Sequence, residues 1–223
     1  MLIQIPAVLN SGELESLRRT VKEAPFEPGI VTALPGARGV KRNLQLKPDS
    51  EAMRACVPVV VGALRRNPLF FSAALPAKIF GVIFNRYDVG MEYGDHFDTA
   101  IVAAQSTMRS DIAGTLFLSA PEDYDGGELV IQDSFGAHRV KLPAGNMIVY
   151  PASSLHRVEP VTRGSRIAAV LWVQSLVRDE GRRRILFDLD LVIGKLAKAT
   201  PGSAEVQTLS SAYHNLLRMW AET

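Results

Sequence analysis

Near residue 77 the hydrophobic period of the chain changes from that of a helix to that of a strand, and it changes back after residue 175. Between these points the runs 79–87, 115–119, 128–131, 138–142, 147–150 and 165–174 read as short strands. Turn residues such as Gly126-Gly127 and Pro143-Ala144-Gly145-Asn146 separate them. Many short strands with Gly, Pro and Asp turns read as a sandwich or barrel. The expectation is a mainly β chain with flanking helices (α+β), its core a double-stranded β-helix, that is, a cupin-like jelly roll, over 78–177. Residues 1–77 are then a helical or mixed region packing on that core, and 178–223 a helical extension.

The flanks carry helix signals. Asn10 can cap a helix with Glu13 three residues on, Leu14, Leu17 and Val21 give it a stripe, and Pro25 ends it. A second helix is expected over 51–66, opened by Asp49 or Ser50 and complicated by Pro58. A third begins near Arg178, and a fourth follows the break at 200–202, with Val206, Leu209, Tyr213, Leu216, Leu217 and Trp220 on one face. That face either packs on the core or serves a homodimer. The run Arg182-Arg183-Arg184, preceded by Asp179 and Glu180, reads as a solvated face with local ion pairs.

Lys and Arg number 25 against 23 Asp and Glu, a net charge of +2, which argues against nucleic acid as a partner. The one cysteine, Cys56, cannot form an internal disulfide and reads as a small buried hydrophobe. No run reaches the length of a membrane span, and the start lacks a signal pattern. A soluble, cytoplasmic protein is expected.

Chemistry is concentrated in few residues. Four histidines are present: His96, His138, His156 and His214. His96 and Asp98 sit two apart, so on a strand they share a face and converge on one metal ion. His156, just beyond an apolar strand and turn, is the best third ligand. Two histidines and a carboxylate on one face of an octahedral ion suit a non-haem iron(II) oxygenase. Along 165–174, Arg166, Ala168, Val170 and Trp172 share parity. An inward Arg166 needs an anion, and its fork fits the carboxylate of a cosubstrate, with the Tyr87 hydroxyl sharing it. The same residues also allow three rivals: a non-oxidative cupin-like metal binder, a zinc hydrolase with Glu128 as its base, or a lapsed site in an interaction module.

The motifs Asn85-Arg86-Tyr87, Tyr93-Gly94, His96, Asp98-Thr99-Ala100, 114–118, Tyr124, 126–129, 151–153, His156-Arg157-Val158, 161–164 and Arg166 together resemble the PKHD-type hydroxylases. The tail segments 175–178 and 186–190 resemble that family too. The resemblance covers essentially the whole chain. It implies an iron(II)- and 2-oxoglutarate-dependent dioxygenase that hydroxylates a small-molecule or peptidyl substrate with O₂ and releases succinate and CO₂. It also implies iron ligands at His96, Asp98 and His156, 2-oxoglutarate at Arg166 and Tyr87, and use of L-ascorbate (vitamin C). Around this site, Trp172, Asn85, Tyr93 and Gln132 are candidate rim residues, and Phe97 is expected to face away. The segment 100–111, with Gln105, Ser106, Thr107, Met108 and Arg109, is a candidate lid, and 133–136 a hairpin turn.

Overall fold

The structure is a computed structural model of the chain, and it describes every residue except Leu34, 104–106 and Thr223, and all but the side chains of Pro35 and Ala103. The chain starts with β1 (Ile3–Ile5) and α1 (Ser11–Glu23). Asn10 caps α1: its side chain accepts from the Glu13 amide, and the Glu13 carboxylate accepts from the Asn10 amide. There follow β2 (Phe26–Pro28), two 3₁₀ segments over Gly29–Thr32 and Pro35–Val40, β3 (Lys41–Arg42) and β4 (Leu44–Leu46).

Next comes α2 (Glu51–Arg66), capped by Ser50, which runs through Pro58 without ending there. Its buried residues Ala52, Cys56, Val60, Ala63 and Leu64 recur at helical spacing, so one stripe faces the core. Asn67 caps α3 (Pro68–Ala74), with Pro68 in its first turn. The strands continue with β5 (Pro76–Asp88), β6 (Glu92–His96), β7 (Ile101–Ala103), β8 (Thr107–Arg109), β9 (Ile112–Phe117) and β10 (Tyr124–Gly126). They end with β11 (Leu129–Asp133), β12 (Gly136–Val140), β13 (Met147–Pro151), β14 (His156–Val158) and β15 (Val161–Ser175). Two helices close the chain, α4 (Glu180–Ala199) and α5 (Ala204–Trp220), capped by Asp179 and Ser203.

The larger sheet has the order β1-β13-β9-β15-β5-β4-β2, with β10 also paired to β15. The smaller has the order β12-β11-β14-β6-β3, and β7 and β8 form a separate hairpin. Every pairing is antiparallel. These sheets are open, which corrects the expected jelly-roll barrel. The larger sheet stops at β1 and β2 and the smaller at β12 and β3, so among the described residues no ladder closes on itself. The reason lies in the first fifty residues. Their short strands attach at sheet edges and extend the ladders outward, and with five helices the chain is a mixed helix-and-sheet fold.

Two cores result. In one, Leu17, Val21, Cys56, Val60, Leu64 and Phe70 of the first three helices meet Phe84, Leu116, Val149, Leu171 and Val173 of the larger sheet. In the other, Phe117, Ile148 and Tyr150 of the larger sheet meet Leu129, Ile131 and Val158 of the smaller. Each fully buried large side chain contributes roughly 1.5–3 kcal/mol. A third, smaller cluster of Leu75, Val177, Leu186 and Tyr213 seats α4 and α5, and Leu216, Leu217 and Trp220 pack on it. Tyr213, Leu216, Leu217 and Trp220 of the α5 face are therefore met within the chain.

The arginine run departs from its expected solvated face. Arg184 does pair with Asp188 one turn on, but Arg183 is buried and donates to the Val177 and Arg178 carbonyls. Arg182 lies over the Trp220 ring. Among the described residues, no helix is long and apolar enough to cross a membrane.

Candidate active site

The longest pairing in the fold sets up the site. Strands β15 and β5 run side by side, and Arg166 stands opposite Tyr87. The alternation of β15 puts Ala169, Leu171 and Val173 in the core shared with the helices. Arg166, Val170 and Trp172 line a cavity of about 330 Å³. One extra residue on β5, between the partners of Val170 and Trp172, makes a bulge at Gly81. Gly81 has φ +64°, and a Cβ there would stand 2.7 Å from the Trp172 ring. A glycine is what lets the indole lie against this bend.

Opposite, β14 pairs with β6 and sets His156 directly across from His96. The two rings stand 4.2 Å apart. His96 is the last residue of β6, so Asp98 lies in the irregular segment beyond the strand rather than on it. It still turns in: an Asp98 carboxylate oxygen is 3.9 Å from His156 Nε2. Ligand-type atoms of His96, Asp98 and His156 all lie within 4.8 Å of one another.

The tautomers follow from the backbone. His96 Nδ1 lies 2.8 Å from the Gly94 carbonyl, and His156 Nδ1 lies 3.0 Å from the Ser154 carbonyl. A carbonyl only accepts, so each Nδ1 carries the proton and each Nε2 keeps its lone pair. This outer hydrogen bond is the arrangement that orients metal-binding histidines. Tyr93 stacks on the His96 ring with centroids 3.6 Å apart. Burial first, and the neighbouring His156 second, push His96 down to about 3. Burial raises Asp98 above the usual carboxylate range, against the pull of His156. Such a set, two imidazoles whose Nδ1 atoms face backbone carbonyls and a buried carboxylate, is suited to a divalent cation.

A pH effect on the metal-free protein follows. The unfolded chain protonates His96 near 6.5, the folded chain only near 3. The unfolded state therefore binds more protons in that window, and stability falls as the pH drops from 6.5 toward 3. Asp98 works the other way, because its raised folded value favours the fold on acidification. Urea unfolding of metal-free protein below pH 6.5 is expected to show a loss that flattens in His96→Asn; an equally steep loss in the variant would count against the assignment.

Arg166 is 1% exposed, and its Nε finds no partner among the described residues. Its guanidinium carbon is 5.3 Å from the centroids of both Tyr87 and Phe117. The buried Tyr124 hydroxyl is also unpartnered. Gly127, at φ +65°, leaves room for the Arg166 stem, which a Cβ would meet at 3.1 Å. Burial pushes Tyr87 up to about 12, so its hydroxyl keeps its proton and can donate. A buried guanidinium with no carboxylate beside it is costly unless an anion meets it. Together these groups fit a small dicarboxylate beside a metal.

The other expected rim residues divide. Trp172, Asn85 and Tyr93 line the cavity, whereas Gln132 does not. Phe97, expected to face away, is half exposed yet borders the opening. Of the candidate lid, Thr107–Arg109 pairs with Ile101–Ala103, and Arg109 is tied to Asp111 and Glu222. Gln105 and Ser106 lie outside the described residues. Glu128, the base a hydrolase would use, lies outside the lining and faces Arg139 at 3.7 Å. His138 pairs with Asp133 on the β11–β12 hairpin, and His214 packs edge-on to Tyr213. Sequence reasoning passed over Lys41 and Thr32, which also line the cavity.

Residues 82–174 match the 2OG-Fe(II) oxygenase superfamily, and residues 180–222 match the PKHD-type hydroxylase C-terminal domain. A PKHD-type hydroxylase of Beijerinckia indica is 49% identical over the full length of both chains. The chain belongs to the PKHD-type hydroxylases. A second relative of that description, from Hyphomonas neptunium, is 50% identical, again over the whole of both chains.

Solved structures share the backbone arrangement at lower identity. A Pseudomonas putida prolyl-4-hydroxylase aligns with a TM-score of 0.51 at 20% identity, covering 78% of this chain and 92% of its own. The Trichoplax adhaerens prolyl hydroxylase, solved with a hypoxia inducible factor peptide, aligns at 0.55 with 14% identity, covering 83% and 86%. This PKHD-type hydroxylase is a 2-oxoglutarate- and iron(II)-dependent dioxygenase.

Proposed function

We propose that His96 and His156, through Nε2, and Asp98, through a carboxylate oxygen, hold the iron of this dioxygenase. Arg166 then holds the far carboxylate of 2-oxoglutarate, with the Tyr87 hydroxyl donating to the same group. The observation that carries this reading is the buried Arg166 without an acidic partner, facing the same cavity as the two free Nε2 atoms. Iron, when bound, couples oxidation of 2-oxoglutarate to succinate and CO₂ with transfer of one oxygen atom from O₂ into a substrate C–H bond.

The chain supplies the setting. The Gly94 and Ser154 carbonyls fix the ring planes of His96 and His156. Asp98 supplies the one negative charge among the described lining residues. Val170 and Trp172 present apolar surface to the cavity beside Arg166. The substrate is a small molecule or a peptidyl group entering past Phe97. Ascorbate belongs to the same proposal as the reductant that returns iron to its ferrous state. A cytoplasmic location does too, supported by a single cysteine that cannot form an internal disulfide. The two matched segments support reading 78–177 as the unit that carries the chemistry and 178–223 as an appended helical one, with 1–77 packing on both.

The test is succinate formation. Under air, purified protein is expected to release succinate from 2-oxoglutarate with iron(II) and not with zinc. Release with zinc alone, or none with iron, would overturn the reading.

A further inference from the structure

The cavity holds a second buried cation. Lys41 is 8% exposed and reaches the cavity from β3, the edge strand of the smaller sheet. Arg166 reaches it from the larger sheet. Among the described residues, Lys41 has no carboxylate within ion-pair distance. Its ammonium donates to the Thr32 hydroxyl at 2.7 Å and lies 5.0 Å from the centre of the Tyr93 ring. Thr32 in turn is 2.9 Å from the Gln45 side-chain oxygen. One of three ammonium protons is thus used, and the aromatic face compensates only part of the lost hydration. Tyr93 also stacks on His96, so the ammonium stands one aromatic ring away from a proposed iron ligand.

Nothing in the proposed chemistry uses this group. The charges of the cavity bear on its role. Iron(II) brings two positive charges, and Arg166 and Lys41 bring one each. Asp98 cancels one and the 2-oxoglutarate dianion two. One positive charge is left, and it sits on Lys41. A single ammonium, steadied by a hydroxyl whose own proton goes to Gln45 or to the Gly29 carbonyl, matches a monoanion; a phosphate dianion would call for more donors. Around it the surface is apolar: Ile30 and Val31 precede Thr32, Val40 precedes Lys41, and Phe97 borders the opening, all exposed.

We propose that Lys41, with Thr32 beside it, is the substrate-recognition site of this enzyme, and that the hydroxylated substrate is a small molecule bearing a carboxylate on an apolar body. The assignment rests on the dioxygenase reading above, which supplies the iron and the cosubstrate. Burial lowers Lys41 to about 8, which leaves it charged at neutral pH, and an arriving carboxylate strengthens that charge.

The test uses the anaerobic iron(II) enzyme saturated with 2-oxoglutarate, followed by its visible charge-transfer band. The probes are N-acyl amino acids of increasing acyl length, each paired with its primary amide. The acids are expected to perturb the band at least about tenfold more tightly than their amides at one or more lengths, a difference of about 1.4 kcal/mol. In Lys41→Met that ratio is expected to fall to near one, with the 2-oxoglutarate midpoint unchanged. Lys41→Gln serves if the methionine variant does not fold, and the acid-to-amide ratio of the unaltered enzyme stands without either.

Equal binding of acids and amides at every length overturns the proposal. So does a preference that survives in the variant, or loss of the band as acids displace 2-oxoglutarate. A shifted 2-oxoglutarate midpoint in Lys41→Met would instead assign the lysine to the cosubstrate. Failure of the dioxygenase reading is separate, since no band would then form with 2-oxoglutarate alone.

Discussion

Asp98→Ala is expected to leave a folded protein that no longer retains iron and no longer turns over 2-oxoglutarate. Removing the carboxylate leaves two neutral imidazoles, which cannot offset the charge of a divalent cation in a buried space. Loss of a residue that merely orients a metal ligand costs about 10- to 100-fold, so loss of a ligand itself should exceed about 100-fold in activity. Iron per chain after dialysis is the direct measurement, with circular dichroism to confirm the fold. His96→Ala and His156→Ala should behave alike. His138→Ala and His214→Ala are the internal controls, because those side chains stand with Asp133 and Tyr213, away from the cavity. Iron retained in Asp98→Ala, or lost in the controls, would place the metal elsewhere.

Arg166→Met should separate the two ligand sites. Iron content is expected to stay at the level of the unaltered enzyme, while affinity for 2-oxoglutarate falls. Truncating one member of a buried, hydrogen-bonded charge pair costs about 2–5 kcal/mol, or roughly 30- to several-thousand-fold in affinity. Arg166→Lys should be weakened too, because a single ammonium cannot reproduce the two-pronged contact. The same substitution has a second expected effect of opposite sign. Without cosubstrate, Arg166 is a buried charge with an unused Nε. Methionine keeps most of its volume and removes the charge, so the ligand-free variant should melt no lower than the parent. Equal 2-oxoglutarate affinity in the variant would refute the role given to this arginine.

Much of this site could be read in the sequence because short-range periodicity carries it. The parity of 165–174 puts Arg166, Val170 and Trp172 on one side, and the structure has them lining one cavity. Pairing is a different matter. Alternation tells which residues share a face, and it says nothing about which strand lies beside which. Hence a run of short strands suggested a closed barrel, whereas β1, β2, β3 and β4 attach as edges and leave the sheets open. Lys41 escaped for a related reason. Its strand is two residues long and follows a stretch rich in glycine and proline, so no period could reveal it. Only its pairing with Tyr93 on β6 brings the ammonium inward. The reading of His96 and Asp98 as one strand face reached the right neighbourhood by an inexact route, since the strand stops at His96. Arg183 shows the limit of charge-run reasoning: the Val177 and Arg178 carbonyls, between β15 and α4, accept from it, and nothing local in the sequence announces that.

Both imidazoles at the centre are aimed by peptide oxygens that lie two residues upstream of them. Such acceptors are present whatever amino acid occupies the position. Ser154→Ala would keep its oxygen, so a scan that truncates side chains one by one would be blind to the very contacts that aim the rings. Here the aiming device is inherited from the ribbon itself, and it would be felt only through changes that bend that ribbon, such as a bulky residue at Gly94, where a Cβ would come within 2.8 Å of Val40.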